Sequence, residues 1–116
     1  IIAMPCPSIV EFIENDDINS PEMMKYLKRK FGQFSDRPAD AVVLGCTHYP
    51  FIADQIRAAA GPQAVLYDGS EGVARELRRR LAEKDLLAEE DHCLNIEILN
   101  SDGPAKIALA KRLLVC

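Results

Sequence analysis

The sequence lacks a long apolar segment, an excess of positive charge and any paired-cysteine motif. Its longest uncharged stretch, Ala41 to Ala53, contains Thr47, His48 and Pro50, and is too short and too polar to span a bilayer. The 14 lysines and arginines against 18 aspartates and glutamates give a net charge of −4. This balance removes the electrostatic basis for binding nucleic acid or an anionic membrane.

The cysteines are few and far apart, which argues against a structural metal site. None of the 4 lies in a CxxC or CxxxH pattern, so we expect no zinc or other metal. Unpaired thiols in an acidic chain favour a reducing compartment, and we expect a cytoplasmic protein. The cysteines are Cys6, Cys46, Cys93 and Cys116.

The length and hydrophobicity predict a folded chain. A hydrophobic content of 48% excludes disorder, and 116 residues suffice for one compact unit or for a piece of something larger. Four short apolar segments have the length of β-strands, and the first three are nearly continuous apolar runs, as buried parallel strands are. The predicted strands are Ile1 to Met4, Ala41 to Leu44, Ala64 to Tyr67 and Leu94 to Leu99.

Helix signals lie between these segments. Ser20 and Pro21 are typical of a helix start, and Gly32 of a helix end. The other predicted helices begin at Pro50, Ser70 and Ser101; the third has an apolar face of Val73, Leu77 and Leu81, and the fourth one of Ile107, Ala110 and Leu114. The alternation predicts the α/β class: a three-layer open parallel sheet with helices on both faces.

The richest chemistry follows the second predicted strand. Ligands gather at the carboxyl ends of strands in open α/β sheets, and Cys46, Thr47 and His48 lie at such an end. A thiol is an effective base or nucleophile only when something stabilises its anion. A helix beginning at Pro50 and the imidazole of His48 are two candidates. Packing is the alternative, because free cysteine is among the most buried residue types.

The segment VLGCTHYP, Val43 to Pro50, resembles the second catalytic-cysteine motif of the glutamate racemase family, within the cofactor-independent aspartate/glutamate racemase superfamily. The segments Met4 to Glu14 and Ala64 to Glu76 are also similar to family segments, although Asp68-Gly69-Ser70 swaps the usual order of serine and glycine. The resemblance covers the carboxyl-terminal half of the family. The Cys-Asn-Thr motif of the first catalytic cysteine does not occur in the sequence, and the context of Cys6 matches a different segment.

The resemblance implies a racemase that uses two thiols and no cofactor. One thiolate would remove the α-proton of glutamate, and the other thiol would deliver a proton to the opposite face. It assigns catalysis to Cys46, His48 and Glu14, with Glu14 orienting the imidazole, and substrate binding to Thr47 and Cys46. Two of these residues have a structural alternative. His48 could be a structural histidine, and Glu14 could be a solvated surface charge. Asp68 could bind substrate or cap the third helix.

The resemblance also implies an organisation and a set of partners. Residues 1–68 would be part of the second racemase domain, and residues 69–116 would return to the first. We expect glutamate as the small-molecule partner, a role in peptidoglycan synthesis, and a homo-oligomer or an association with the missing half. The alternatives are an inactive racemase-like binding or interaction module and a racemase for another acidic amino acid.

Overall fold

The computed structural model describes residues 1–88 and 95–114, and these form two compact units. The first unit is Ile1–Asp68 and the second begins at Gly69. The assignment of the two parts to different racemase domains stays a prediction.

The first unit is built around one parallel pair of strands. Strand β1 (Ala41–Val43) pairs with strand β2 (Val65–Tyr67), with Ala41 opposite Val65 and Val43 opposite Tyr67. The connection between them contains a 3₁₀ helix (Tyr49–Ile52) and helix α3 (Ala53–Ala60), as a parallel pair requires a crossover. The predicted α/β class with a parallel sheet is confirmed.

Two helices precede the sheet, and one of them has no counterpart among the predicted elements. Helix α2 (Pro21–Gly32) begins as predicted, with the Ser20 hydroxyl accepting a hydrogen bond of 3.1 Å from the amide of Met23. Helix α1 (Pro7–Glu14) was not predicted, although Pro7 at its first position and the spacing of Ile9 and Ile13 are helix signals.

The core of the first unit lies where α1, α2 and α3 turn their apolar faces inward. Helix α2 packs against α3, and α1 contacts the 3₁₀ helix. The buried apolar residues of this unit are Cys6, Ile9, Ile13, Met23, Leu27, Phe31, Leu44, Ile52, Ile56 and Ala64. Helix α3 is followed by Gly61, whose φ of 101° lies in the region that side chains avoid.

Two predicted strands are wrong for the residues that the structure describes. Residues 1–4 form no strand. The Met4 and Pro5 segment instead contacts side chains at the end of α2, where Lys30 Nζ donates to the Pro5 carbonyl at 2.7 Å. Residues 95–99 are not a strand either, and Leu94 lies outside the described residues. Apolar alternation yields a strand only where a neighbouring strand completes the hydrogen-bond ladder.

The second unit contains helices α4 (Ser70–Glu83) and α5 (Pro104–Leu114). The predicted apolar face of α4 is not a core, because Val73 and Leu77 are more than half exposed. Charged pairs one turn apart line α4 instead, with Glu76 accepting from Arg79 at 2.7 Å and from Arg80 at 2.8 Å. These bonds, chiefly that from Arg79, lower the pKa of Glu76.

Candidate functional site

The segment after β1 is held in place by the sheet and by a tight turn. Leu44 is buried, and its amide extends the ladder by donating to the Tyr67 carbonyl at 2.8 Å. The amide of Tyr49 donates to the carbonyl of Cys46 at 3.2 Å, which closes a turn over residues 46–49. Cys46 therefore lies just beyond the carboxyl end of a parallel strand, where α/β proteins gather their functional groups.

Within this turn the thiol of Cys46 faces the imidazole of His48. Cys46 is half-buried, and its Sγ lies 3.9 Å from His48 Nδ1. When Nδ1 is unprotonated it accepts from the thiol, and when it carries a proton it donates to the thiolate. The pair can thus exchange a proton without moving either side chain far.

The other ring nitrogen of His48 contacts α1. His48 Nε2 lies 3.0 Å from Glu14 Oε1, and both side chains are partly exposed. A proton on Nε2 donated to this carboxylate leaves Nδ1 available to Cys46, so Glu14 selects the useful tautomer. Because the pair is open to solvent, its contribution to stability is only about 0–1 kcal/mol, and its main effect is to orient the ring.

The thiol of Cys46, the imidazole of His48 and the carboxylate of Glu14 contact one another in that order. We name these three side chains the Cys46 cluster. The structure brings together all three residues that the resemblance assigns to catalysis: Cys46, His48 and Glu14. Thr47, the predicted substrate contact, lies between Cys46 and His48 and is exposed. The geometry is therefore suited to moving a proton to and from the sulfur.

The helix after Cys46 begins later than the sequence indicates. Residues Tyr49–Ile52 form the 3₁₀ helix, with the Phe51 amide donating to the His48 carbonyl at 3.1 Å, and α3 begins only at Ala53. The dipole effect is confined to the first turn of a helix, so α3 is too remote to stabilise a Cys46 thiolate. The imidazole of His48 is the group placed to do so.

Sequence reasoning gave no role to Tyr49, which the structure places between two cysteines. Its hydroxyl donates to the carbonyl of Cys6 at 3.2 Å. Burial raises the pKa of the Tyr49 phenol, and the nearby Cys6 and Cys46 add to the effect. Burial, followed by Cys6, also raises the pKa of Tyr26. The signal for Tyr49 in the sequence was its place in the VLGCTHYP segment.

Cys6 is the second cysteine of this unit, and it is shut away from solvent. It is only 4% exposed, and its Sγ lies 3.5 Å from the carbonyl of Met4. The two cysteines differ accordingly, since Cys46 has access to solvent and an imidazole partner. His92, Cys93 and Cys116 lie outside the described residues.

Residues 1–88 and 95–114 contain neither a metal-binding cluster nor a membrane-spanning helix. No group of three or more His, Cys, Asp or Glu side chains there could hold a metal ion. Among the same residues, no helix combines the length and apolarity needed to cross a membrane.

Comparison with known proteins links the chain to glutamate racemases. It is 44% identical over 115 residues to the glutamate racemase of Clostridium botulinum strain Alaska E43, an alignment that covers 98% of this chain and 45% of that protein. It is 41% identical over 115 residues to a glutamate racemase of Clostridium perfringens, covering 98% of this chain and 44% of the relative. A racemase of Clostridium botulinum strain 657 is 38% identical over 98 residues, or 84% of this chain and 38% of the relative. No family model matches.

The resemblance to glutamate racemase inferred from the sequence is confirmed over nearly the whole chain. The chain spans less than half the length of these curated relatives, in keeping with a partial copy of the racemase fold.

Proposed function

We propose that this chain supplies one of the two acid/base groups of a cofactor-independent glutamate racemase. Cys46 acts at one face of the α-carbon. The D-glutamate is formed in the cytoplasm and is used for the synthesis of cell-wall peptidoglycan. The observation that carries the proposal is the Cys46 cluster, in which Sγ lies 3.9 Å from Nδ1 and Nε2 lies 3.0 Å from the Glu14 carboxylate. Similarity to proteins named glutamate racemase supports the choice of substrate.

The cluster supports proton transfer in both directions. In one direction the Cys46 thiolate takes the α-proton, the electron pair of the C–H bond stays on carbon, and a second acid protonates the opposite face. In the other direction the Cys46 thiol donates its proton to the carbanion and is left as the thiolate. His48 holds a proton near the sulfur, and Glu14 keeps the ring aligned. Thr47 contacts the substrate beside Cys46.

Inversion requires a second base, because a single group that returned its own proton would restore the starting configuration. Cys6 does not meet this need, since its thiol is 4% exposed and lies against the Met4 carbonyl. The Cys-Asn-Thr motif is absent from the sequence. The resemblance assigns the second base to that motif, so we infer that the amino-terminal half of a racemase supplies it.

An exposed apolar surface on the sheet supports an association of this kind. On one face of the β1–β2 pair, Val43 is 75% exposed, Val65 52% and Tyr67 56%. Parallel sheets are almost always covered on both faces, so this outer sheet face is a surface that a partner would cover. The sequence predicts a buried strand at Ala64 to Tyr67, and the exposure of Tyr67 corrects that prediction for this face. The same face favours the second candidate function, a racemase-like interaction module without turnover.

The experiment follows L-glutamate by circular dichroism with this chain alone, with the amino-terminal half of the Clostridium botulinum relative alone, and with both. We expect no turnover by either alone and measurable racemisation by the mixture. The matched control is Cys46→Ser, which should bind the partner and give no racemisation. A mixture that associates without turnover would favour the interaction module, and turnover by this chain alone would contradict the one-base assignment.

A further inference from the structure

The turn that carries Cys46 contacts both ends of α1. At the carboxyl end, His48 Nε2 lies 3.0 Å from Glu14, the last residue of the helix. At the amino end, the Tyr49 hydroxyl donates to the carbonyl of Cys6, the residue that caps the helix, at 3.2 Å. Two neighbouring residues of one turn thus span the whole of α1.

These two contacts differ in what they can fix. Helix α1 has 8 residues and is about 12 Å long, so a contact at one end alone leaves the other end free to swing. At the amino end the Tyr49 hydrogen bond adds to the bond from Lys30 to the Pro5 carbonyl, and together they restrict that freedom. Ile9 and Ile13 bury one face of α1, but apolar packing is not directional and tolerates small rotations.

Tyr49 is itself anchored to the turn. Its amide donates to the Cys46 carbonyl at 3.2 Å, so the residue joins Cys46 through its backbone and Cys6 through its side chain. A phenol with the ordinary pKa of 10.0 is protonated at neutral pH, and burial raises the pKa of Tyr49 further, so its hydroxyl can donate there.

We propose that Tyr49 is a positioning residue of the Cys46 cluster: its hydrogen bond to Cys6 fixes the start of α1 so that Glu14, at the other end, meets His48. The assignment of chemistry to this cluster rests on the proposed function. The positioning itself concerns only contacts within the first unit. It can therefore be tested without turnover.

The test measures how fast iodoacetamide alkylates Cys46, with the modified cysteine identified by peptide mass mapping, across a range of pH. Tyr49→Phe keeps the ring and removes only the hydroxyl. Glu14→Gln keeps the size of the carboxylate and removes its charge. Tyr67→Phe is the matched control, because it removes a hydroxyl from a tyrosine of the same unit that lies on the outer sheet face and is 56% exposed. The double variant of Tyr49 and Glu14 completes the cycle.

We expect Tyr49→Phe and Glu14→Gln each to slow alkylation near neutral pH by about twofold to fivefold, and Tyr67→Phe to leave the rate unchanged. If Tyr49 acts through Glu14, the double variant is no slower than the slower single variant. Multiplying effects would mean that Tyr49 acts independently of Glu14 and would overturn the proposal. So would a Tyr49→Phe rate equal to that of Tyr67→Phe, or a Glu14→Gln rate equal to wild type.

A second measurement tests the proposal even if the Tyr49→Phe variant is only partly folded. Nitrogen-15 spectra of the His48 ring report the bond at Nε2 directly, and the folded fraction is observed separately from the unfolded one. We expect Tyr49→Phe to shift the Nε2 signal of the folded fraction toward that of Glu14→Gln. An unshifted signal would overturn the proposal. If the mixture of the two halves gives no racemisation, while the double variant alkylates no more slowly than the slower single variant, the racemase function is refuted and the positioning role of Tyr49 is not.

Discussion

His48 and Glu14 meet at 3.0 Å although 34 positions separate them in the sequence. One lies in the turn after β1 and the other ends α1, so their contact requires the packing of α1 beside the 3₁₀ helix. The pair has little value for stability because it is exposed to solvent. We propose that its effect is on the chemistry of Cys46, through the orientation of the imidazole.

The first prediction concerns the reactivity of that thiol. His48→Asn should slow alkylation of Cys46 at neutral pH by about threefold to tenfold, because no imidazole nitrogen remains 3.9 Å from the sulfur to accept the thiol proton. Mass mapping after a short exposure to iodoacetamide gives the rate. Cys6 is the internal control: it is buried and should react far more slowly in both proteins. Equal rates for Cys46 in the two proteins would exclude the role of His48.

Removing a buried apolar side chain from α1 should lower the free energy of unfolding far more than removing an exposed one. Ile13 is fully buried, and Ile13→Ala should lower the free energy of unfolding by about 2–5 kcal/mol. The control is Ile2→Ala, because Ile2 is 73% exposed and its change should stay within about 0.5 kcal/mol. Urea unfolding followed by circular dichroism measures both. Similar costs at the two positions would show that α1 is not part of the core.

A glycine substitution tests the end of α3. Gly61→Ala should lower the free energy of unfolding by about 1–3 kcal/mol, because φ of 101° with ψ of 159° is strained for alanine. The new Cβ would also meet the Gln63 side chain at 2.7 Å, but that chain can move.

The matched control for this substitution is Gly32→Ala. Gly32 is the last residue of α2, has an ordinary φ, and has open space around the position of a Cβ. Its substitution should be neutral or stabilise by about 0.5–1 kcal/mol. Equal costs in urea unfolding would contradict the backbone explanation.

Alkaline pH should destabilise the first unit through Tyr49 and Tyr26. The folded state raises the pKa of both phenols above their ordinary value of 10.0, chiefly by burial. Their contribution to stability is therefore complete below that value, and it is lost as the pH rises through the higher folded-state values. Unfolding free energies at about pH 8 and about pH 11 should differ less in Tyr49→Phe than in wild type. An identical pH dependence in the two proteins would argue against a buried phenol.

Local chemistry made part of this structure predictable from the sequence. Ser20 and Pro21 specify the start of α2 by capping, and the strands around Val42 and Leu66 are apolar runs long enough to pair. The meeting of Glu14 with His48 was expected only from the resemblance, since no local pattern relates residues so far apart.

The incorrect predictions share a physical cause. Residues 1–4 have a strand's composition but form no strand, and Met4 Sδ instead accepts a hydrogen bond from Gln33, the residue that follows α2. Val73 and Leu77 have a core helix's spacing, yet both are exposed. Tyr67 likewise faces out from the sheet. Periodicity indicates which face of an element is apolar, but the element that covers it is a property of the tertiary structure.

The short β1–β2 ladder has a consequence for motion. Only three residue pairs of the ladder hold the turn that contains Cys46, and their side chains on the outer sheet face are exposed to solvent. The helices of this unit, by contrast, contribute most of the buried core. Local opening of a protein begins where few buried contacts and few ladder bonds must break, so amides of β1 and β2 should exchange with solvent hydrogen before those of α2. Each opening would release the Cys46 turn while the helices stay folded. Covering the outer sheet face would then slow this exchange and, in the same step, order the Cys46 cluster.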